Sequence, residues 1–172
     1  MEDVVGREDE TLLLELLNTT PVNESGVVDV LADGRHAALW AVTHGGRGSP
    51  AELARLREAR DVLQGVVGGR RPAGDLGALV HGARWEPVVD DAGLELRFAV
   101  DDEDHRLAAR AVLAWGMVTR ELPGRLRACA NDECRLFLLD RSRANTARWC
   151  SMAICGNRMK ARRHYQRARD TR

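Results

Sequence analysis

A chain of 172 residues, 44% apolar and 30% charged, has material for one domain of ordinary size or a modest domain carrying a smaller one. No apolar run approaches the roughly 20 residues of a membrane span, and the acidic start (Glu2, Asp3, Glu8, Asp9, Glu10) resembles neither a secretory signal nor a transit peptide, so a reducing, cytoplasmic setting is expected. The formal net charge of zero hides an asymmetry: residues 125–172 hold 13 Arg and Lys against Asp132, Glu133, Asp140 and Asp170, an excess of +9, while residues 1–124 carry −9.

In chain order, the leucine-dense run from Thr11 to Leu17 predicts a short buried helix that the Asn18-Thr-Thr-Pro21 turn ends. Asp33 is placed to cap a second helix through Leu39 and Trp40, stopped by Gly45-Gly46. After Pro50, Leu53, Leu56, Leu63 and Val67 recur at helical spacing as far as Gly68-Gly69. A shorter helix should contain Leu76, Leu79 and Val80. Trp85–Val89 and Leu94–Val100 flank the turn residues Asp90–Gly93 and predict a β-hairpin with Pro87 on an edge. A longer helix from about Asp104 should bury Leu107, Ala111, Trp115, Val118 and Leu122, until Pro123-Gly124 breaks it. Trp40, Trp85 and Trp115 are expected as core anchors. The five histidines read as ordinary surface or half-buried side chains.

The chain's four cysteines follow as Cys129-x4-Cys134-x15-Cys150-x4-Cys155. Two close pairs across a mid-length gap suit one tetrahedral structural zinc, each pair aiming two thiolates at one point. Four buried free thiols, or two redox pairs, are the competing reading. Knuckle, strand (Arg135–Leu139), polar loop (Asp140–Arg148), knuckle and basic helix (Arg158–Arg169) are the order of a treble-clef-like finger. The fold class expected is therefore α+β, with a mainly helical domain over residues 1–123 bearing the hairpin, and a zinc module over 124–172. On the last helix Arg158, Arg162 and Arg169 share one side, and Lys160, Arg163 and Arg167 cover the adjoining one. Met159, Tyr165 and Ala168 are left to pack against the knuckle. With Arg141, Arg143 and Arg148 from the loop, these cations are the candidate nucleic-acid contacts. A solvated charged tail is the bland alternative.

Trp149-Cys-Ser-Met-Ala-Ile-Cys-Gly-Asn-Arg158-Met-Lys160, preceded by Leu136-Phe-Leu-Leu-Asp-Arg-Ser-Arg143, resembles the CGNR zinc-finger family of bacteria, whose name Cys155, Gly156, Asn157 and Arg158 spell. Leu14–Thr19, Val28–Leu31 and Leu39-Trp40 more loosely resemble the ABATE domain that usually precedes this finger, although Leu17 stands where that family has an aromatic. The resemblance implies a stress-linked transcription regulator with the finger as its DNA-binding part and the four cysteines as zinc ligands. It also implies a turn and cap at Gly156 and Asn157, and Arg158 as the first phosphate-facing cation. The acidic body would sense a signal, dimerise or contact the transcription machinery. A zinc module for RNA or protein is the second reading. No phosphate loop, zinc-protease helix or acid–nucleophile pair points to an enzyme.

Overall fold

The structure is a computed structural model that describes residues 6–170. Helix α1 (Arg7–Leu17) places Glu8, Asp9 and Glu10 in its first turn, where the helix dipole favours acids. It buries Leu12, Leu13, Leu16 and Leu17 at 1% exposure or less. After Thr20 the chain forms a small antiparallel hairpin, β1 (Val22–Asn23) with β2 (Gly26–Val27), which strands of two residues left without any period to read. Asp33 caps α2 (Gly34–Thr43) as expected, accepting the Arg35 N–H at 2.9 Å. Ser49 caps α3 (Pro50–Val67) through the Glu52 N–H, with Pro50 at the first helical position.

The segment Ala73–Val80 is a 3-10 helix that buries Leu76 and Leu79. Strands β3 (Arg84–Asp90) and β4 (Gly93–Ala99) pair antiparallel, with Asp90 opposite Gly93 and Trp85 opposite Phe98. Pro87 lies in a two-stranded ribbon where both strands are edges. A 3-10 turn at Glu103–His105 leads into α4 (Arg106–Glu121), whose Leu107, Ala111 and Val118 are buried.

Helices α1, α3 and α4 pack on one another around these leucines, and α2 lies against α3. Trp40, Trp85 and Trp115 sit half-buried against the rim of this core, not at its centre. Polar side chains on α3 secure the connection that follows α1. Gln64 donates to the Leu17 carbonyl and the Thr20 hydroxyl at 2.9 and 2.8 Å, and Arg60 pairs with Asp29 at 2.6 Å. Gly46 is required by space, since a Cβ there would meet the buried Glu52 carboxylate at 2.7 Å.

Pro123 and Gly124, the latter at φ +69°, turn the chain from α4 into β5 (Leu126–Ala128). This strand pairs antiparallel with β6 (Phe137–Leu139), which is shorter than the Arg135–Leu139 expectation. Phe137 joins the same buried cluster as the helical leucines, and Leu126 and Leu139 pack against it. The Asn18 amide forks onto Phe137, accepting its N–H at 2.7 Å and donating to its carbonyl at 3.2 Å. The C-terminal module is thus stitched into the body's core. No helix among the described residues is long and apolar enough to cross a membrane.

Candidate metal centre and basic helix

The four sulfurs converge. Cys129 follows β5, Cys134 precedes β6, and Cys150 and Cys155 both lie just before the last helix. All four Sγ atoms lie within 4.8 Å of one another. Cys134 to Cys150 is 3.6 Å and Cys150 to Cys155 is 3.7 Å. Zinc–sulfur bonds of about 2.3 Å in a regular tetrahedron set the sulfurs about 3.8 Å apart, so these spacings fit one ion. Among the described residues this is the one such group of potential ligands. Four thiolates fill the tetrahedron and leave no position for water or substrate, the pattern of a structural site.

Amide donors surround the cluster. Leu136 N–H points at Cys134 Sγ (3.4 Å), Cys150 N–H at Cys129 Sγ (3.5 Å), and the fully buried Asn131 gives its side-chain amide to Cys155 Sγ (3.5 Å). Such donors offset charge on sulfur and orient each ligand. Without metal, burial pushes the Cys134 thiol up to about 11. Burial and the neighbouring thiols also raise Cys150. Burial opposes ionisation of Cys155 too, but hydrogen bonds, first from Asn131 and then from the other thiols, outweigh it and hold that group below its ordinary value. Zinc must therefore displace protons to bind, and its affinity rises with pH.

Asp140, 2% exposed, fixes the loop between the knuckles. It accepts the N–H groups of Ser142 and Ala147 at 2.8 and 2.7 Å and pairs with Arg127 at 2.6 Å. Hydrogen bonds from Ser142, with Ala147 and Arg127 adding to them, hold its carboxyl down at about 2. Asn145, at φ 49°, returns the loop and accepts from Arg127, a conformation asparagine tolerates better than most residues. Asn18, Asn131 and Asp140 were not singled out by sequence reasoning. Their only signal was a short hydrogen-bonding side chain next to an apolar or cysteine-bearing run, which reads equally well as a turn.

The last helix departs from expectation at both ends. Met152–Gly156 forms a π-type turn that runs directly into α5 (Asn157–Asp170), with the Ser151 hydroxyl accepting the Ile154 N–H at 3.4 Å. Gly156 and Asn157 therefore do not form a turn and cap. Asn157 already has helical angles, and Gly156 lets the Met152 thioether lie close over the turn. Beyond Met159, which is half-buried, every residue from Lys160 to Arg169 is exposed. Tyr165 is 71% exposed and Ala168 is exposed as well, so neither packs on the knuckle. The helix leaves the finger after about one turn, and its described side chains beyond that turn lie exposed.

The nine candidate cations fall into groups. Arg141 pairs with Glu10 on α1, and Arg162 pairs with Glu133 in the first knuckle. Arg148 lies over the Trp149 ring, 5.3 Å from its centroid. Arg143, Arg158, Lys160, Arg163, Arg167 and Arg169 are exposed on the loop and on α5. At the start of α5, Arg158 lies beside the same Glu133 carboxylate that Arg162 pairs with, and lines a cleft with Val22, Asn23 and Glu24 of the body.

The family model of the CGNR zinc finger matches residues 125–168, the segment that β5, both knuckles, β6 and nearly all of α5 occupy. No curated protein sequence matches the chain. With the geometry of the four sulfurs, the match identifies this segment as a zinc finger of CGNR type that holds one structural zinc ion through Cys129, Cys134, Cys150 and Cys155.

Proposed function

We propose that this protein is a DNA-binding transcription regulator in which the zinc finger presents α5 to duplex DNA. The observation that carries the reading is the exposure of α5 on every side past Met159, with Arg158, Lys160, Arg162, Arg163, Arg167 and Arg169 along it. A helix built to pack on its own protein would bury one stripe. This one spends its surface on cations instead, which neutralise phosphates and release counterions. The order β5, knuckle, β6, loop, knuckle, helix is that of a treble-clef-like finger, in which the metal serves as the small core the segment otherwise lacks. The acidic body is read as an ABATE-like sensing or partner-binding unit. The closed tetrathiolate gives no support to an enzymatic role.

The test is titration of the zinc-loaded full chain with duplex DNA across a range of salt. Affinity should fall steeply, and replacing Arg162 and Arg163 with Ala should make the log–log slope shallower by one to two units, about 0.9 per lost phosphate contact. Equal affinity at low and high salt rules out the proposal. Preferential competition by single-stranded RNA would favour the alternative, an RNA- or protein-interaction module.

A further inference from the structure

The distribution of side chains around α5 carries more than a general attraction to phosphate. With about 100° per residue and Arg158 set at zero, Arg162 and Arg169 fall within about 40° of it, while Lys160, Arg163 and Arg167 lie about 140–200° around. Met159 and Gln166 occupy the arc between these ridges at about 80–100°. That arc faces the finger, because from Asn157 to Arg169 Met159 is the half-buried residue and Arg162, beside it, reaches Glu133. The opposite arc, about 160° wide, holds Asn157, Ala161, His164, Tyr165 and Ala168 and no charge at neutral histidine. This uncharged strip therefore points away from the protein and is bordered on both sides by guanidinium and ammonium groups.

A helix with one basic face suits a flat phosphate surface. Two basic ridges separated by an uncharged strip suit a trough whose two rims are anionic and whose floor is not. The B-form major groove is such a trough: about 12 Å wide, it admits one α-helix, its rims are the two phosphate backbones, and its floor presents base edges and thymine methyls. The 14 residues of α5 extend about 21 Å, enough to lie along the groove past several base pairs. A second copy of the same helix is a poor occupant, since both would bring the same cations to the contact. A-form RNA has a major groove too deep and narrow to take a helix.

We propose, resting on the DNA-binding reading above, that α5 seats lengthwise in the DNA major groove with Ala161, His164, Tyr165 and Ala168 against the base edges. Lys160 and Arg163 contact one backbone, and Arg158 and Arg169 the other. Arg162 pairs with Glu133 and Arg158 lies beside the same carboxylate, so on that ridge Arg158 turns from this acid to the backbone while Arg169, further along, is exposed. Small Ala161 and Ala168 allow close approach to thymine methyls. His164 and Tyr165 supply the polar reach that tells one base pair from another.

The experiment uses the zinc-loaded full chain and three duplexes of one sequence: plain DNA, DNA whose cytosines carry glucosylated hydroxymethyl groups in the major groove, and A-form RNA. Plain DNA should bind at least about tenfold more tightly than either of the others. Lys160→Ala with Arg163→Ala, and separately Arg158→Ala with Arg169→Ala, should each reduce the salt slope by about two units. His164→Ala with Tyr165→Ala should leave the slope alone while flattening the preference seen in selection from a randomised duplex pool. All these side chains are exposed, and an unchanged zinc content verifies that each variant keeps its finger. Plain and glucosylated DNA binding alike, or a slope that only one ridge changes, overturns the groove seat and leaves phosphate binding intact. Absence of salt-dependent duplex binding defeats both readings together.

Discussion

The body and the finger solve the same problem with different materials. In the body, Leu12, Leu13, Leu16, Leu17, Leu56, Leu63 and Leu107 disappear almost wholly from solvent and hold three helix faces together, with Asp9 and Arg110 pairing between α1 and α4 beside them. In the finger, between Cys129 and Arg169, Phe137 and Leu138 are the buried large apolar side chains, and Phe137 belongs as much to the body as to the finger. What replaces a core there is four sulfurs on one ion, three amide donors around them, and a buried aspartate bracing the loop. The lesson is that the two regions should fail separately and for different reasons.

Metal removal should give the largest effect. Structural zinc contributes roughly 10–16 kcal/mol of apparent binding energy in small fingers near neutral pH, which the finger's two buried apolar side chains cannot replace. Cys134→Ser, or a strong chelator, should take the zinc content from one per chain to none and expose the amides of residues 129–158 to rapid hydrogen exchange. The amides of α3 and α4 should stay protected. Loss of protection throughout the chain would show that the body depends on the metal too.

Next comes the converse change. Leu63→Ala empties a fully buried position on α3 and should cost about 2–5 kcal/mol, read as a lower midpoint of thermal or denaturant unfolding. Zinc content below that midpoint should stay at one per chain. A variant that loses zinc while its helices remain folded would contradict the division of labour.

The same contrast decides what could be read from the chain before any coordinates. Helices α1 to α4 and the β3–β4 hairpin announced themselves because a leucine period, a capping aspartate or a turn dipeptide is a local property. The cysteine quartet was equally legible, since metal ligation imposes spacing directly. Strand β6 was legible too, from the apolar run after Cys134, but its partner β5 and the β1–β2 ribbon were not, because two or three residues cannot display a period and pairing depends on where the rest of the chain is brought. The fate of Tyr165 and Ala168 was misjudged for a related reason. Helical spacing shows which residues share a face, but only tertiary structure shows whether anything lies opposite that face. Asn157 likewise looked like a cap, until the π-type turn around Cys155 began the helix earlier.

The smallest expected effect is also the one that joins the two regions. Asn18 sits at the end of α1 and holds both main-chain groups of Phe137. One residue earlier, just before β6, Leu136 donates its N–H to the Cys134 sulfur, and its carbonyl accepts the Cys129 N–H at 2.8 Å. Consecutive residues of the finger therefore bind a metal ligand and the body. Asn18→Ala removes two partly buried hydrogen bonds worth about 0.5–1.5 kcal/mol each, and alanine fits the near-helical backbone there without strain. Because linkage is reciprocal, the deficit should appear twice. Zinc should bind about tenfold more weakly in competition with a chromophoric chelator, and zinc should raise the body's unfolding midpoint less than it does in the unaltered chain. Glu10→Gln, which breaks only the exposed contact to Arg141, should change neither by a comparable amount. If Asn18→Ala leaves zinc affinity and the zinc-induced shift as they were, the finger is merely adjacent to the body, and the shared Phe137 carries no communication between metal and core.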